Sequence, residues 1–303
     1  MNIACPICNS QDSKEVYKVR SEGRDYSVTT CSGCDHRYTW FDFDLDEEGL
    51  YSDDVYQIVD NRDSVYSKIM SYEYGKVLKR LNGHFEKESA LLDFGAGKGV
   101  FLNLAKKYGF RVSGVETAEA RADFAEKKYG LDIIRTIYQS GKIGNGNYDV
   151  ITLFHVLEHL PQPLLLLKNL ISENLGANGM LVIEVPNLSS FQSQIASSKW
   201  MHLDIPRHLS HFSKKRLKDF CEELDLKIVK TEYFSLHLGV LGMCHSILSL
   251  FGYQGKIIAD LKRYNKKLML SLVLVLPVAF IVELAASVFN KGGILRVYCT
   301  RLG

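Results

Sequence analysis

The stretch from residue 90 to residue 102, ALLDFGAGKGVFL, constrains this chain more than any other. An apolar run ends at Asp93, three glycines follow at alternate positions, and another apolar segment comes directly afterwards. Glycine-rich turns between a strand and a helix bind phosphates, dinucleotides and related ligands. The stretch therefore predicts a nucleotide-like ligand, and the segments on either side must indicate which one.

Strand-like and helix-like segments alternate along the chain after about residue 65. Apolar stretches such as RVSGVE, YDVITLF and GMLVIEVP take turns with helical stretches such as AEARADFAEKKYG and PLLLLKNLISENL. This alternation is typical of a mostly parallel sheet with helices on both faces. We therefore predict a Rossmann-like α/β fold that binds its ligand at the C-terminal ends of the strands, beside the glycines.

Glu116 ends the second predicted strand, 23 residues after Asp93. A carboxylate at this position can accept hydrogen bonds from ribose hydroxyls. A phosphate-binding loop would carry Ser or Thr after its lysine, whereas Lys98 is followed by Gly99, which argues against an NTPase. The acid two positions before Gly95 repels a pyrophosphate and suits a ligand with a cationic amino-acid end.

These motifs together resemble those of the class I S-adenosylmethionine-dependent methyltransferases. The stretch DFGAGKG, Glu116 and the later FHVLEHLPQP (154–163) carry the resemblance, which covers about residues 50–235 and the last strand. One departure is that DIIRTIYQSG lacks the acid that family members often carry near the adenine. Similar tyrosine pairs in the family lie over the donor, so Tyr51 and Tyr56 are candidates. The resemblance implies S-adenosylmethionine as cofactor, bound by Asp93, Phe94, Gly95, Ala96, Gly97, Gly99, Glu116, Thr117, Phe154, His155 and Tyr56.

His155, Glu158 and His159 also match the H-x-x-E-H pattern of some zinc peptidases. That chemistry needs both histidines on one long helix, but Pro161 follows almost at once. A peptidase is therefore disfavoured, and the resemblance places these residues in the loop beside the methyl donor. Glu158 is either a catalytic residue or a structural support of that loop.

After the strand GMLVIEVP, a ten-residue stretch (202–211) contains three histidines, His202, His208 and His211. Histidine can take a proton from a hydroxyl near neutral pH, and Arg207 beside them can hold an anionic acceptor. The segment PRHLSHFS resembles the one over the active site of methyltransferases for surface polysaccharides and modified sugars. We predict His208 as the general base, His211 and Glu158 as further catalytic candidates, and a sugar or glycan precursor, free or lipid-linked, as the acceptor.

Two other functions stay open at this point. A small aromatic or isoprenoid phenol could be methylated with His208 in the same role. The chain could also be a non-enzymatic scaffold with a degenerate donor pocket, but the intact Asp93, glycine series and Glu116 argue against that.

Four cysteines form two pairs, CPIC at 5–8 and CSGC at 31–34, separated by 22 residues. A two-residue gap lets both thiolates turn onto one ion, so the pairs predict a zinc ribbon with one structural Zn²⁺. Disulfides or free thiols are the alternatives. An N-terminal four-cysteine zinc module is also known in sugar C-methyltransferases, which the chain resembles. The predicted zinc ligands are Cys5, Cys8, Cys31 and Cys34.

Nearly 60 residues separate the predicted strand LKIVKTEYF (226–234) from its expected partner ILRVYCT (294–300). Residues 238–251 and 268–282 are mostly apolar, and the connector 256–267 holds five basic residues and one acid. A single membrane crossing would leave the two pairing strands on opposite sides, so the apolar limbs must form a hairpin. We expect peripheral membrane contact through 238–289, with a homodimer interface and a core extension as alternatives.

These segments divide the chain into four predicted parts. They are a zinc ribbon at 1–45, the methyltransferase domain at 46–235, an apolar helical insertion at 236–292 and the final strand of the methyltransferase sheet at 293–303. The charge is balanced, with 37 basic and 35 acidic residues, so nucleic acid is not an expected partner. The N-terminus lacks the pattern of a signal peptide, so we expect a cytoplasmic enzyme, at the inner face of the membrane if the hairpin contacts lipid.

Overall fold

The computed structural model describes residues 4–21, 23–43, 65–263 and 265–302. The strands are β1 (Ser13–Ser21), β2 (Arg24–Cys31), β3 (Arg37–Trp40), β4 (Ala90–Phe94), β5 (Arg111–Val115), β6 (Ile133–Ile134), β7 (Tyr148–Phe154), β8 (Leu175–Pro186), β9 (Ser210–His211), β10 (Leu226–Glu232) and β11 (Ile294–Arg301). The helices are α1 (Val65–Leu81), α2 (Val100–Lys107), α3 (Glu119–Tyr129), α4 (Pro163–Asn174), α5 (Phe191–Ala196), α6 (Lys214–Glu223), α7 (Leu238–Leu250), α8 (Ile257–Lys262) and α9 (Lys266–Val288).

The central sheet confirms the predicted α/β fold. Its strand order is β10-β11-β8-β7-β4-β5-β6, and the five strands from β8 to β6 in this order run parallel. The last strand, β11, pairs antiparallel with both β8 and β10, so the expected pairing of the segments at 226–234 and 294–300 is confirmed. From β4 the chain adds β5 and β6 on one side and then β7 and β8 on the other, so the strand order reverses between β4 and β7, where such sheets have their crevice.

The apolar strands of the sheet are buried because helices cover both faces. All five residues of β4 are buried, and so are the last eight of β8. Continuous apolar strands of this kind are typical of parallel sheets that are covered on both sides. Five of the seven residues of β7 are buried as well, so the loops after β4 and β7 lie on a rigid base.

A second sheet combines three N-terminal strands, which lie beside the two cysteine pairs, with one short strand from within the methyltransferase fold. Its order is β1-β2-β3-β9, and all pairs are antiparallel. In the pairing of β3 with β9, Arg37 lies opposite His211 and Tyr38 lies opposite Ser210. The N-terminal module is therefore hydrogen-bonded to the segment that contains the predicted catalytic histidines.

The apolar insertion between β10 and β11 consists of helices α7, α8 and α9, and α7 packs against α9. One side of α9 is buried through Leu268, Ala279, Glu283 and Ala286. Most of its other apolar side chains are exposed, for example Leu274, with 75% of its surface accessible. Within the described residues, α9 is the one helix long and apolar enough to cross a membrane, although a single such helix is weak evidence for crossing.

Candidate active site

Three glycines shape the turn between β4 and α2. Gly95, Gly97 and Gly99 all have positive φ angles, of 82°, 56° and 72°, a conformation that other residues adopt only with strain. A side chain at Gly95 would clash with Val156, and one at Gly99 would clash with Leu131, whereas a Cβ at Gly97 would meet no atom within 4 Å. The first and third glycines therefore allow tight packing, and the second leaves open space above the backbone.

Glu116, at the end of β5, closes one side of this space. Its Oε2 accepts a hydrogen bond from the backbone N–H of Gly97 at 2.8 Å, and its Oε1 accepts one from Ala118 at 2.9 Å. Each carboxylate oxygen has a second lone pair, so both can still accept hydrogen bonds from ribose hydroxyls. Glu116 is buried, and Thr117 beside it is exposed.

Asp93 lies under the glycine turn at the end of β4. It is buried, and Thr152 of β7 donates a hydrogen bond from its hydroxyl to Oδ1 of Asp93 at 2.6 Å. Burial raises the pKa of Asp93 to about 7; the bond from Thr152 opposes this rise, and the nearby Glu116 carboxylate adds to it. A cationic ligand beside Asp93 would restore its charge near neutral pH.

Aromatic rings pack at the ends of β4 and β7, where the two loops of the site begin. Phe94 is buried and meets Tyr138 edge to face at 5.7 Å between ring centroids. Phe154 is half-buried and packs against Phe101 at 4.8 Å and Tyr74 at 5.5 Å. The predicted donor residues Tyr51 and Tyr56 lie outside the described residues.

The residues of this cleft fit S-adenosylmethionine. The open backbone at Gly97 leaves room for the nucleoside, and Glu116 offers acceptors for its ribose. Asp93 offers a carboxylate to the cationic amino-acid end. The structure thus brings together the predicted glycines and both acids, while Phe94, Ala96 and Phe154 contribute backbone and packing to the same turn.

His155 follows β7 with a left-handed backbone, at φ 55°. Its Nδ1 lies 3.2 Å from Oε1 of Glu158, and its Nε2 lies 3.0 Å from Oε1 of Glu184. Burial alone would lower the pKa of His155, but the two carboxylates raise it to about 10. The ring is therefore an imidazolium at neutral pH and donates a hydrogen bond from each nitrogen.

The charge of Glu184 has a second partner that the sequence analysis missed. Arg296 of β11 lies directly opposite Glu184 of β8 and forms an ion pair with it. Arg296 also contacts Oε2 of Glu232 at 3.0 Å. The sequence could have indicated this pair, because an acid interrupts the apolar strand GMLVIEVP and a base interrupts the last strand.

The histidine His208 faces the loop after β7. Its Nδ1 lies 2.9 Å from the carbonyl oxygen of His202, which can only accept, so this nitrogen carries the hydrogen. The lone pair is then on Nε2, which lies 3.9 Å from Oε1 of Glu158 and 3.9 Å from Oδ2 of Asp204. His208 therefore has the geometry of a general base with two acids beside it.

Two more residues of this segment complete the acceptor side. Burial alone would raise the pKa of Asp204, but its ion pair with Arg207 lowers the pKa to about 2. His159 packs against the ring of His208 at 4.6 Å between centroids, and burial lowers the pKa of His159 to about 4. The sequence analysis did not identify Asp204 as a site residue. In the stretch LDIPRH the acid lies three residues before Arg207, and this spacing could have indicated an ion pair beside His208.

His211, a predicted catalytic residue, faces the cysteine module instead of the cleft. Thr39 of β3 donates its hydroxyl hydrogen to the carbonyl oxygen of His208 at 2.6 Å. The contact of 3.0 Å between Thr39 Oγ1 and Nε2 of His211 must then use a hydrogen on His211. Burial also lowers the pKa of His211 well below its usual range. The geometry favours a structural role for His211 and leaves His208 as the candidate base.

The four cysteines of the two pairs lie together. The Sγ atoms of Cys5 and Cys34 are 3.6 Å apart, and those of Cys8 and Cys31 are 3.5 Å apart. A disulfide would need about 2.05 Å, so the cysteines are free thiols. Four sulfurs at about 2.3 Å from one tetrahedral ion lie about 3.8 Å from one another, so this set fits a metal ion.

Comparison with known proteins decides the family. A model of the methyltransferase domain matches residues 66–231, which is more than half of the chain. The chain belongs to this family. It therefore carries a methyltransferase domain, and the cleft described above fits S-adenosylmethionine as the methyl donor.

One curated relative is similar to this methyltransferase over a limited stretch. It is a ubiquinone biosynthesis O-methyltransferase from Vibrio parahaemolyticus, 31% identical over 99 residues. The match covers 31% of this chain and 41% of the relative, so the chain spans about two-fifths of that protein's length.

Solved structures share the fold of this methyltransferase. One is assigned as a sarcosine dimethylglycine methyltransferase from Galdieria sulphuraria, with a TM-score of 0.50, 15% identity, and coverage of 76% of this chain and 83% of that one. Another is the plantazolicin methyltransferase bound to a desmethyl analogue and S-adenosylhomocysteine, with a TM-score of 0.50, 16% identity and coverage of 80% and 87%. At these identities the likeness shows the fold alone.

Two groups of side chains would serve the reaction, one for the methyl donor and one for the acceptor. S-adenosylmethionine, when bound, supplies an electrophilic methyl group on a sulfonium. Asp93 and Glu116 would hold the two ends of the donor, and the glycine turn would let it approach the backbone. His208 and its neighbouring acids, Glu158 and Asp204, are the groups that would act on an acceptor.

Proposed function

We propose that this methyltransferase acts on a sugar or glycan precursor that is carried on a lipid, at the cytoplasmic face of a membrane. The observation that carries the proposal is a set of buried hydrogen bonds between the apolar insertion and the segment that holds His208. This connection supports the proposal because it joins the candidate acceptor residues to α9, which exposes many apolar side chains.

Gln192 of α5 makes the central contact of this connection. The indole N–H of Trp200 donates to Oε1 of Gln192 at 3.1 Å, and Nε2 of Gln192 donates to Oε2 of Glu283 at 2.9 Å. Glu283 belongs to α9, and Trp200 stands just before the histidine segment. A second contact joins Nε2 of His202 to the carbonyl oxygen of Leu238 in α7, at 3.3 Å.

The exposed side of α9 supplies the lipid-facing surface. Leu270, Val273, Leu274 and Ile281 are each at least 66% exposed. An apolar patch of this kind on a protein surface favours association with a membrane or another protein. The basic residues of the connector support the membrane, because anionic headgroups attract them. They are Lys256, Lys262, Arg263, Lys266 and Lys267.

In this function His208 takes the proton of the acceptor. Its Nε2 carries the lone pair, and two carboxylates nearby can stabilise the imidazolium that forms. As the acceptor atom attacks the methyl carbon, the bond from that carbon to sulfur breaks and its electron pair stays on sulfur. The products are a methylated acceptor and S-adenosylhomocysteine.

A second candidate acceptor is an isoprenoid phenol. The relative from Vibrio parahaemolyticus is a ubiquinone biosynthesis O-methyltransferase, and an apolar surface beside the acceptor side suits an isoprenoid tail as well as a lipid-linked sugar. The resemblance of PRHLSHFS to methyltransferases of sugar pathways favours the sugar, as does the four-cysteine module, for which we propose a structural Zn²⁺.

The test uses S-adenosylmethionine labelled in its methyl group and a lipid extract as the source of acceptor. We expect label in the organic phase, and we expect mild acid to release it as a water-soluble sugar. Label that stays in the organic phase after acid would identify a phenol instead. The proposal would be contradicted by a protein that binds the donor but transfers no label to the lipid extract, whether to a lipid-linked sugar or to a phenol, and none to water-soluble sugars.

The role of His208 is tested in the same assay. His208→Ala should lower turnover by about two to four orders of magnitude, the usual range for a general base. His84→Ala is the matched control, because His84 is exposed in the turn after α1 and its Nδ1 contacts the carbonyl oxygen of Arg80. Equal turnover in wild type and His208→Ala would remove this histidine from the mechanism.

A further inference from the structure

A cluster of three side chains lies between the loop after β7 and the histidine segment. Glu158 and His159 come from the short 3₁₀ turn Leu157–His159, and His208 comes from the segment before β9. One potential ligand atom from each residue lies within 4.8 Å of the other two. Two imidazoles and one carboxylate are a common donor set for divalent transition metals.

Both histidines of the cluster are oriented by backbone carbonyls. Nδ1 of His159 lies 3.0 Å from the carbonyl oxygen of Arg207, as Nδ1 of His208 does from that of His202 at 2.9 Å. Because a carbonyl oxygen only accepts, each Nδ1 carries the hydrogen, and Nε2 is the nitrogen through which each ring would bind an ion. Histidine ligands of metals are usually held in this way, by a hydrogen bond from the second ring nitrogen.

The carboxylate of the cluster has an atom without a partner. Glu158 is 1% exposed, and its Oε1 contacts His155. Its Oε2 is buried and has no hydrogen-bond partner anywhere in the described ranges of the chain. A buried charged oxygen without a partner is costly, and a cation beside it would remove that cost.

We propose that Glu158, His159 and His208 bind one divalent transition-metal ion, separate from the ion of the cysteine module. Imidazole and carboxylate together suit Mn²⁺, Fe²⁺, Co²⁺ or Zn²⁺. Asp204, with Oδ2 at 3.9 Å from Nε2 of His208, is a further acid beside the cluster. Three protein ligands leave at least one coordination position for an oxygen of the acceptor.

The use of this ion in catalysis rests on the proposed function, whereas its binding does not. An acceptor hydroxyl on the ion loses its proton to water more readily, because the ion stabilises the alkoxide. The alkoxide then attacks the methyl carbon, and the electron pair of the broken carbon–sulfur bond stays on sulfur. The ion and a proton compete for the same lone pair of His208, so in the metal-loaded enzyme this histidine is a ligand and the ion replaces it as the activating group.

The test begins with protein whose cysteine module is filled with zinc. Mn²⁺ is the probe, because it prefers oxygen and nitrogen donors and leaves the zinc thiolates intact. Electron paramagnetic resonance measures the Mn²⁺ that remains free. We expect wild type and the control His84→Ala to bind one Mn²⁺ per chain, and we expect Glu158→Gln and His159→Ala to bind it at least about tenfold more weakly.

Glu158→Gln keeps an oxygen that can accept a hydrogen bond from His155, so the loop should keep its shape. Weaker Mn²⁺ binding by this variant would then reflect the lost carboxylate charge and not a disturbed loop. Co²⁺ added to the zinc-filled wild type gives a second readout, since nitrogen and oxygen ligands produce visible bands without thiolate charge transfer. The proposal is overturned if wild type binds neither ion at about 1 mM, or if both variants bind Mn²⁺ as tightly as wild type does. If the protein transfers methyl groups but binds no ion, the metal site is wrong and the proposed function stands with His208 as base. If it binds the ion but methylates no acceptor, the metal site stands and the proposed function is wrong.

Discussion

Glu116 accepts a hydrogen bond from the backbone N–H of Gly97, so the predicted ribose acid also fixes the turn that must bend around the donor. Loss of this carboxylate should therefore loosen the loop and, if Glu116 binds the ribose as predicted, also remove contacts to the ligand. The two effects act on the same equilibrium, which is the binding of S-adenosylmethionine.

We expect Glu116→Ala to weaken donor binding by about 10-fold to 100-fold or more, since a hydrogen bond to a charged group contributes about 1.5–3 kcal/mol. Glu116→Gln should lose less, because its amide oxygen can still accept from Gly97. Calorimetry measures both, with Glu119→Ala as a control on the exposed start of α3. Equal affinity in all four proteins would move the donor site elsewhere.

Donor binding should depend on pH through Asp93. The pKa of Asp93 is raised to about 7 by burial, so this group is increasingly protonated below pH 7 and attracts a cation less. We expect S-adenosylmethionine to bind more tightly as pH rises through 7 in wild type, and Asp93→Asn to bind weakly with little change. Thr152→Val should move the wild-type midpoint upward, because Thr152 stabilises the charged carboxylate.

The same carboxylate makes the protein without donor less stable at higher pH. The native pKa of Asp93 lies above its unfolded value, so the native state binds more protons and the free energy of unfolding falls as pH rises from about 4 to about 7. Burial also raises the pKa of Glu283 to about 7, so the difference between wild type and Asp93→Asn isolates the effect of Asp93. A constant difference across this range would contradict the assignment.

Removal of the metal from the cysteine module should affect the acceptor side before the donor side. Thr39 of β3 donates to the carbonyl of His208, so unfolding of the module removes a support of this histidine. We expect chelation, or Cys31→Ser, to lower methyl transfer while calorimetry shows unchanged donor affinity. Ser32→Ala, in the same loop but not a ligand, should behave as wild type. A module that stays folded after all metal is removed would show that zinc is not structural.

The exposed side of α9 should bind membranes. We expect the triple variant Leu270→Gln, Leu274→Gln, Ile281→Gln to stop floating with anionic vesicles, because about 25 cal/mol is lost for each Å² of apolar surface that no longer enters the membrane. These side chains point away from the protein, so its fold should persist. Salt should weaken the binding of wild type, because it screens the basic connector.

The matched control for that experiment is Val16→Gln, Ile137→Gln, Val229→Gln, which changes exposed apolar residues outside the insertion. This variant should float as wild type does. If wild type itself stays in solution, membrane contact is wrong, and a tight dimer in light scattering that the α9 variant disrupts would identify the homodimer interface.

The parts of the fold that the sequence predicted well are those with a repeating pattern. Alternating apolar strands and helices predicted the sheet, and the three glycines after β4 predicted the tight turn that their positive φ angles form. The two segments at 226–234 and 294–300 could be paired because the sheet needed a partner for each. Periodicity, charge and glycine positions are local signals, and they sufficed for these features.

The relationships that escaped prediction depend on contacts between distant segments. The pair of Glu184 and Arg296 exists because β11 runs antiparallel beside β8 in one particular register. Three histidines within ten residues give no indication of which way each ring points, and β9, which turns His211 toward Thr39, is only two residues long. A strand of two residues has no detectable period, so its pairing was not available from the sequence.

The strand β9 also affects how this protein can evolve. Three strands of the small sheet precede the methyltransferase fold in the sequence, while the fourth lies deep within it. A recombination event that exchanged residues 1–45 alone would leave Ser210 and His211 without their partner strand and His208 without the hydroxyl of Thr39. The cysteine module and the acceptor loop should therefore be inherited together, and a descendant that loses the four cysteines must gain another strand to cover that edge.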